Sequence, residues 1–285
     1  MTKEKYVSGF KKHLEQLGYS EGSVRMLPSC LSEFLECQGH SQIENILSAD
    51  IVHHYEYLQS RPNKRKPGGL SSIMINHHLY AIRLFLAWQE QLGVITENPM
   101  SSLEFPRPQS KPREVLTVSE IKQLYEVTET LQERAIIAIF YGCGLRRTEG
   151  ERLNIKDLHF RSNLLYVREG KGAKRRVVPL SDQVKTDLKA YLHKERWSKP
   201  NELAYMTGKT GVRMRGMSYS RMLKALLSKT TIDKEISLHS LRHSIATHLL
   251  ESGMAVEYVR DFLGHQHLEA TQIYTRVSKK QLHKL

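Results

Sequence analysis

Between residues 105 and 113 the chain reads Phe105-Pro106-Arg107-Pro108-Gln109-Ser110-Lys111-Pro112-Arg113. Proline has no backbone N–H and biases the residue before it toward extended conformations. A segment this rich in proline cannot continue a helix and favours extended chain. It divides the 285 residues into parts of different texture, a length that suits two ordinary domains. The expected organisation is a helical domain over 1–104, a basic linker over 105–114 and a second domain over 115–285.

The first part has the period of helices. Tyr6, Phe10, Leu14 and Leu17 recur at helical spacing, so a helix is expected over 3–17. Val24, Leu27, Leu31, Phe34 and Leu35 share one side of a second pattern over 23–37, where Pro28 marks either a kink or a shorter helix. Further helices are expected over 48–58 and 73–92. Between them lies Arg61-Pro62-Asn63-Lys64-Arg65-Lys66-Pro67-Gly68-Gly69, a basic turn that suits either a phosphate backbone or a solvated surface.

The second part mixes types. Thr117-x-x-Glu120 has the form of a capping box. The run from Leu131 to Tyr141 is apolar nearly all round, as in a buried helix. Segments 164–168 and 175–180 read as two strands joined by a loop over Gly170-Lys171-Gly172. Helices are expected over 181–194, 218–228, 238–252 and 255–263, with a short one over 268–274. The predicted fold is mainly α with a small β-sheet, an α+β chain.

Charge narrows the partners. The formal net charge is +13; such an excess suits a polyanion, nucleic acid first, or an unspecialised basic surface. No apolar run is long enough for a membrane span. The start, Met1 to Lys5, is charged and leads into no apolar stretch, so no secretory signal is expected. Cys30, Cys37 and Cys143 have no metal-ligand spacing and read as reduced thiols of a cytoplasmic protein.

Several polar residues stand out against this background. Gly208-Lys209-Thr210 has the ending of a P-loop, but Leu203 occupies the place of its first glycine. His239 and His243 are four apart on an expected helix, without a third ligand to complete a metal site. Gly142 and Gly144 permit a sharp turn before Arg146. Glu149, three residues on, can share its helix face, although such a pair is usually a surface salt bridge. Lys171 sits between two glycines, where it can reach a phosphate or be a plain turn lysine. His239 and Arg242 lie near a helix N-terminus, which favours an anion. Leu263-Gly264-His265 closes a helix, and Tyr274 follows nine residues later.

Taken in order, these pieces resemble the tyrosine recombinases, or phage-integrase family, which includes the Xer recombinases. The resemblance rests on Gly144-Leu145-Arg146-x-x-Glu149, on Gly170-Lys171-Gly172 with Arg176-Val177-Val178-Pro179-Leu180, on His239-x-Leu241-Arg242-His243-x-x-Ala246-Thr247-His248, and on Leu263-Gly264-His265 leading to Tyr274. It covers about residues 115–280. Cys143, Arg147 and Gly150 depart from the common pattern around the first motif, and the tail after Tyr274 is short.

The resemblance implies a catalytic domain joined to a helical core-binding domain as a C-shaped DNA clamp. It implies Tyr274 as nucleophile, forming a 3′-phosphotyrosine and freeing a 5′-hydroxyl, with Arg146, Arg242, His239 and His265 around the phosphate. Lys171 would protonate the leaving oxygen, and Glu149 would hold the cluster in place. No cofactor or metal is implied. The implied partner is double-stranded DNA with paired inverted-repeat core sites, bound by a homotetramer or heterotetramer and recombined through a Holliday junction. Chromosome resolution and mobile-element integration or excision use the same residues. Two other readings are a DNA-relaxing enzyme of the type IB topoisomerase kind and a non-catalytic DNA-binding protein on this fold.

Overall fold

The computed structural model describes residues 2–37, 42–63, 67–106, 114–168 and 175–264. The chain divides into two compact units, Met1–Lys111 and Pro112–Leu285. No helix among the described residues is long and apolar enough to cross a membrane.

The described part of the first unit is helical: α1 (Lys3–Gln16), α2 (Glu21–Cys37), α3 (Ser48–Ser60) and α4 (Ser72–Gln91). Spacing of four puts Tyr6, Phe10 and Leu14 on one buried face of α1. The Phe10 and Phe85 rings meet edge to face at 5.7 Å, and Phe34 and Leu31 complete a dry centre. Pro28 does not end α2, which runs on from Glu21 to Cys37. An interior proline costs about 3 kcal/mol. Val24, Leu27, Leu31, Phe34 and Leu35, all buried on this helix, offset that at about 1.5–3 kcal/mol for each fully buried side chain.

The basic turn after α3 is only partly a surface feature. Arg61 is turned inward, 2.6 Å from the Glu33 carboxylate, while Pro62 pairs with Gly69 across the turn. Beside this ion pair His54 is buried, and neither of its ring nitrogens has a hydrogen-bond partner. Burial, then the charges of His78, Arg61 and His53, push its pKa down to about 4.

The second unit is built round one buried helix. Thr117 opens α5 (Val118–Glu126) with the expected reciprocal cap, its Oγ1 accepting from the Glu120 N–H and its own N–H donating to Glu120 Oε2. α6 (Leu131–Ile137) continues into a π-helical turn over Ala138–Gly142. Every residue from Ala135 to Phe140 is fully buried, because α8 (Asp182–Ala190), α9 (Gly216–Leu227) and α10 (Leu238–Glu251) pack round this segment. The expected long helix over 181–194 is α8 followed by a second π-helical turn, Tyr191–Glu195.

One antiparallel sheet lies against this core: β1 (Leu158–His159), β2 (Leu164–Val167) and β3 (Arg176–Pro179), in that order. β1 was not expected, since two residues are too short to show alternation. Leu165, Val167 and Val178 face inward. The register sets Arg176 opposite Val167. Two short helices complete the frame, α7 (Arg147–Arg152) and α11 (Val256–Leu263), and α11 packs on α10 and β3. The expected loop over 170–172, the helix over 268–274 and most of the linker lie outside the described residues.

Each unit holds one of the two tryptophans, Trp88 and Trp197. In a Trp197→Phe background, Trp88 fluorescence reports on the first unit alone. The unfolded chain binds a proton that buried His54 refuses, so stability should fall by about 3 kcal/mol as pH drops from about 6.5 to about 4. Urea unfolding at these pH values should show that slope, and His54→Leu should flatten it. An unchanged slope in the variant would contradict the assignment.

Candidate functional site

The turn that presents Arg146 is made by main-chain geometry. Where the π-helical turn ends, the Cys143 N–H donates to Ala138 O at 2.8 Å and the Leu145 N–H to Ile139 O at 3.2 Å. Such widened turns often mark functional positions. Gly144 between them has φ +58°, and a Cβ there would lie 3.0 Å from the Phe262 ring and 3.1 Å from Leu263 Cδ2. Glycine is required both for the left-handed backbone and for this close approach. The chain then leaves extended at Arg146, which caps α7.

Glu149 lies one turn into α7 and is almost wholly enclosed, its side chain 1% exposed. Of the two readings its spacing allowed, it is not the surface salt bridge. Its Oε2 accepts the Arg146 backbone N–H at 2.8 Å, and Oε1 accepts Arg146 Nη1 at 2.7 Å. Arg176, at the start of β3, donates Nη1 to Oε1 at 2.9 Å and Nη2 to Oε2 at 2.8 Å. Arg242 Nη1 stands 3.8 Å from Oε2. Burial opposes the charge of this carboxylate, but the Arg176 hydrogen bonds and charge, followed by those of Arg146, outweigh it and hold the pKa down at about 2. One carboxylate is thus shared among three guanidinium groups, and the cluster keeps a net positive charge.

The same three arginines grip the end of α11. Arg176 Nε donates to Phe262 O at 3.0 Å, Arg242 Nη2 to Leu263 O at 2.5 Å, and Arg146 Nη2 to Gly264 O at 3.1 Å. Arg242 Nη1 also donates to Gly144 O. The last carbonyls of a helix lack internal partners and carry partial negative charge, so cations at this end are doubly favoured. Gly264 closes the helix with φ +64°, and a Cβ there would lie 2.8 Å from Arg176 Cδ.

Of the expected site residues, Arg146, Glu149 and Arg242 therefore come together. His239 is in the first turn of α10, exposed, its ring edge to face with that of His243 at 4.4 Å between centroids. Lys171, His265 and Tyr274 lie outside the described residues. Arg176 was quoted in a motif without a role; a β-strand arginine has no local sign that it will reach a carboxylate 27 residues earlier. Among the described residues, no group of three or more His, Cys, Asp or Glu could hold a metal ion.

The unusual residues around the first motif differ in their surroundings, and only Gly150 is required by its packing. Cys143 is fully buried, and burial pushes its thiol up to about 12. A Cβ on Gly150 would lie 2.7 Å from the Phe140 ring. Arg147 lies over Gly216 at the start of α9, its Cδ 2.9 Å from where a Cβ would stand.

Loss of Glu149 leaves three close cations without their counter-charge. Glu149→Gln should lower the unfolding free energy of the second unit by about 3 kcal/mol at neutral pH, read from urea curves with Trp197 as reporter. The folded pKa is depressed, so the wild-type advantage is full above about 4.5 and should shrink as pH falls toward about 2. Equal stabilities at neutral pH would contradict the geometry.

Known proteins similar to this chain fall in one family. The phage integrase family model matches residues 114–281. Tyrosine recombinase XerA of Pyrococcus furiosus is 33% identical over 276 residues, covering 96% of this chain and 90% of the relative. In structure, the Tn1549 transposon integrase in complex with circular intermediate DNA superposes with a TM-score of 0.77 at 19% identity, covering 94% of each chain. A lambda integrase tetramer bound to a Holliday junction gives 0.74 at 16% identity, over 94% of this chain and 78% of that one. The last two likenesses show the fold, while the family match over residues 114–281, which spans Arg146, Glu149 and Arg242, and the XerA identity show the family: this chain belongs to the phage integrase family, among the Xer-like tyrosine recombinases.

Proposed function

We propose that the protein is a site-specific DNA recombinase that cuts and rejoins strands through Tyr274. The observation that carries this reading is the convergence of Arg146 and Arg242 on Glu149 and on the end of α11, the helix from which the chain continues to His265 and Tyr274.

The chemistry suits these residue types. The Tyr274 oxygen attacks phosphorus, the bond to the 5′ oxygen breaks, and a 3′-phosphotyrosine forms. That ester keeps the bond energy for rejoining, so the step is reversible. Negative charge gathers on the nonbridging oxygens in the transition state. Arg146 and Arg242 meet it, since guanidinium groups make paired, charge-assisted bonds to phosphate oxygens. Arg242 is enclosed and bound to two carbonyls, so it exchanges carbonyl for phosphate oxygen when DNA arrives. Charged acceptors make bonds roughly twice as strong as neutral ones, which favours the exchange. His239 adds a donor and handles the tyrosine proton, and His265 binds the phosphate or Tyr274. Lys171 gives a proton to the leaving 5′ oxygen. Glu149 sets the arginines without touching DNA.

The partner is duplex DNA with inverted-repeat core sites, joined by four copies of the chain on two sites, and the place of action is the cytoplasm. The net charge of +13 and the lambda tetramer on its junction support this assembly. Both units contact the duplex in this reading.

A site selected from randomised duplexes by the full-length protein supplies the substrate. On a nicked form of that site the wild type should give a covalent adduct stable in detergent, and Tyr274→Phe should give none while binding with similar affinity. Two such sites on one plasmid should yield Holliday junctions and reciprocal products. An adduct persisting in the variant would overturn the nucleophile, and relaxation without reciprocal products would favour a topoisomerase.

A further inference from the structure

Arg176 has no role in the chemistry proposed above, yet all three nitrogens of its guanidinium donate hydrogen bonds within the cluster. Its side chain is 8% exposed. It holds both oxygens of Glu149 with its two terminal nitrogens and turns Nε to Phe262 O. Its Cδ fills the space where any side chain at position 264 would begin. One guanidinium therefore ties three elements together: β3, α7 and the C-terminal turn of α11.

We propose that Arg176 is a positioning residue for strand cleavage, one that clasps the end of α11 to the Glu149 carboxylate. The proposal rests on the recombinase reading. The clasp does two things. It fixes the point from which the chain runs on to His265 and Tyr274. It also fixes the carboxylate that orients Arg146 and stands beside Arg242. Placement errors of about 1 Å in such a constellation cost about a hundredfold in rate.

The planar fork of arginine is needed for this. Lysine presents a point charge and cannot bind both carboxylate oxygens and a carbonyl from fixed directions. Without the Arg176 charge, the buried Glu149 carboxylate loses the largest influence that keeps it ionised. Glu149 would then take a proton at a higher pH and release Arg146.

The test measures adduct formation in a single turnover on the nicked duplex described above. Arg176→Gln should slow cleavage roughly a hundredfold and leave DNA affinity within a few fold. The acid side of its pH–rate profile should move to higher pH than in the wild type. Arg176→Lys should restore part of the pH profile, because charge returns, but little of the rate. In Glu149→Gln/Arg176→Gln the acid shift should vanish, and the double loss should be smaller than the product of the single ones. A second measurement needs no activity: hydrogen exchange in the DNA-free protein should speed up over residues 259–264 in Arg176→Gln and stay unchanged in β2. Wild-type rate, or an unmoved pH profile with cleavage and binding falling together, would overturn the proposal, as would unchanged exchange in α11. Absence of an adduct with the wild type would instead overturn the recombinase reading, and the exchange measurement would still decide the clasp.

Discussion

The described geometry of the second unit depends on one buried carboxylate. Removing Glu149 from water is costly, several kcal/mol for an ion after relaxation. The cost is met because four N–H groups from Arg146 and Arg176 point at its two oxygens, with Arg242 a little farther off. Three cations gathered this closely would repel each other without it. Each of them then reaches past the carboxylate to one of three successive carbonyls at the end of α11. A helix end, a strand and a turn are joined through a single charge.

The backbone is shaped to allow that meeting. The π-helical turn after α6 and the left-handed Gly144 bring Arg146 out beside α11. Gly264 lets the arginine layer lie flat against the helix end. Both glycines sit where any side chain would strike a neighbour. The sheet contributes through register: β3 pairs with β2 so that Arg176 begins the strand opposite Val167, next to the helix it grips. The stable frame of fully buried residues from Ala135 to Phe140 lies directly before this turn, so the site is anchored in the core and not on a free loop.

Much of this was legible in the sequence, for physical reasons. Periodicity is local, so Tyr6, Phe10 and Leu14 declare their helix, and Thr117 with Glu120 declares a helix start. The order of Arg146, Glu149 and Arg242 resembles a family pattern, and the three come together in the structure. What local signals do not contain is tertiary reach. Spacing of three left Arg146 and Glu149 either an orienting pair or an ordinary surface salt bridge, because burial of Glu149 comes from elements far along the chain. Arg61 looked like part of a basic loop for the same reason, yet it turns inward to Glu33. Of the two readings of Pro28, a kink or a shorter helix, the shorter helix does not hold, since α2 runs on to Cys37 with a whole apolar face outweighing one missing hydrogen bond. Arg176 carried no local sign of its partners at all.

The central claim is that Glu149 stays charged because Arg176 and Arg146 hold it, and its own titration tests that most directly. With the glutamate carboxyl carbons labelled and the Glu149 signal assigned by its absence in Glu149→Gln, the carbon shift can be followed from neutral pH downward. The account predicts a shift that stays at its ionised value through the ordinary carboxylate range, with a midpoint toward about 2. A midpoint at or above the ordinary value of about 4.5 would contradict it.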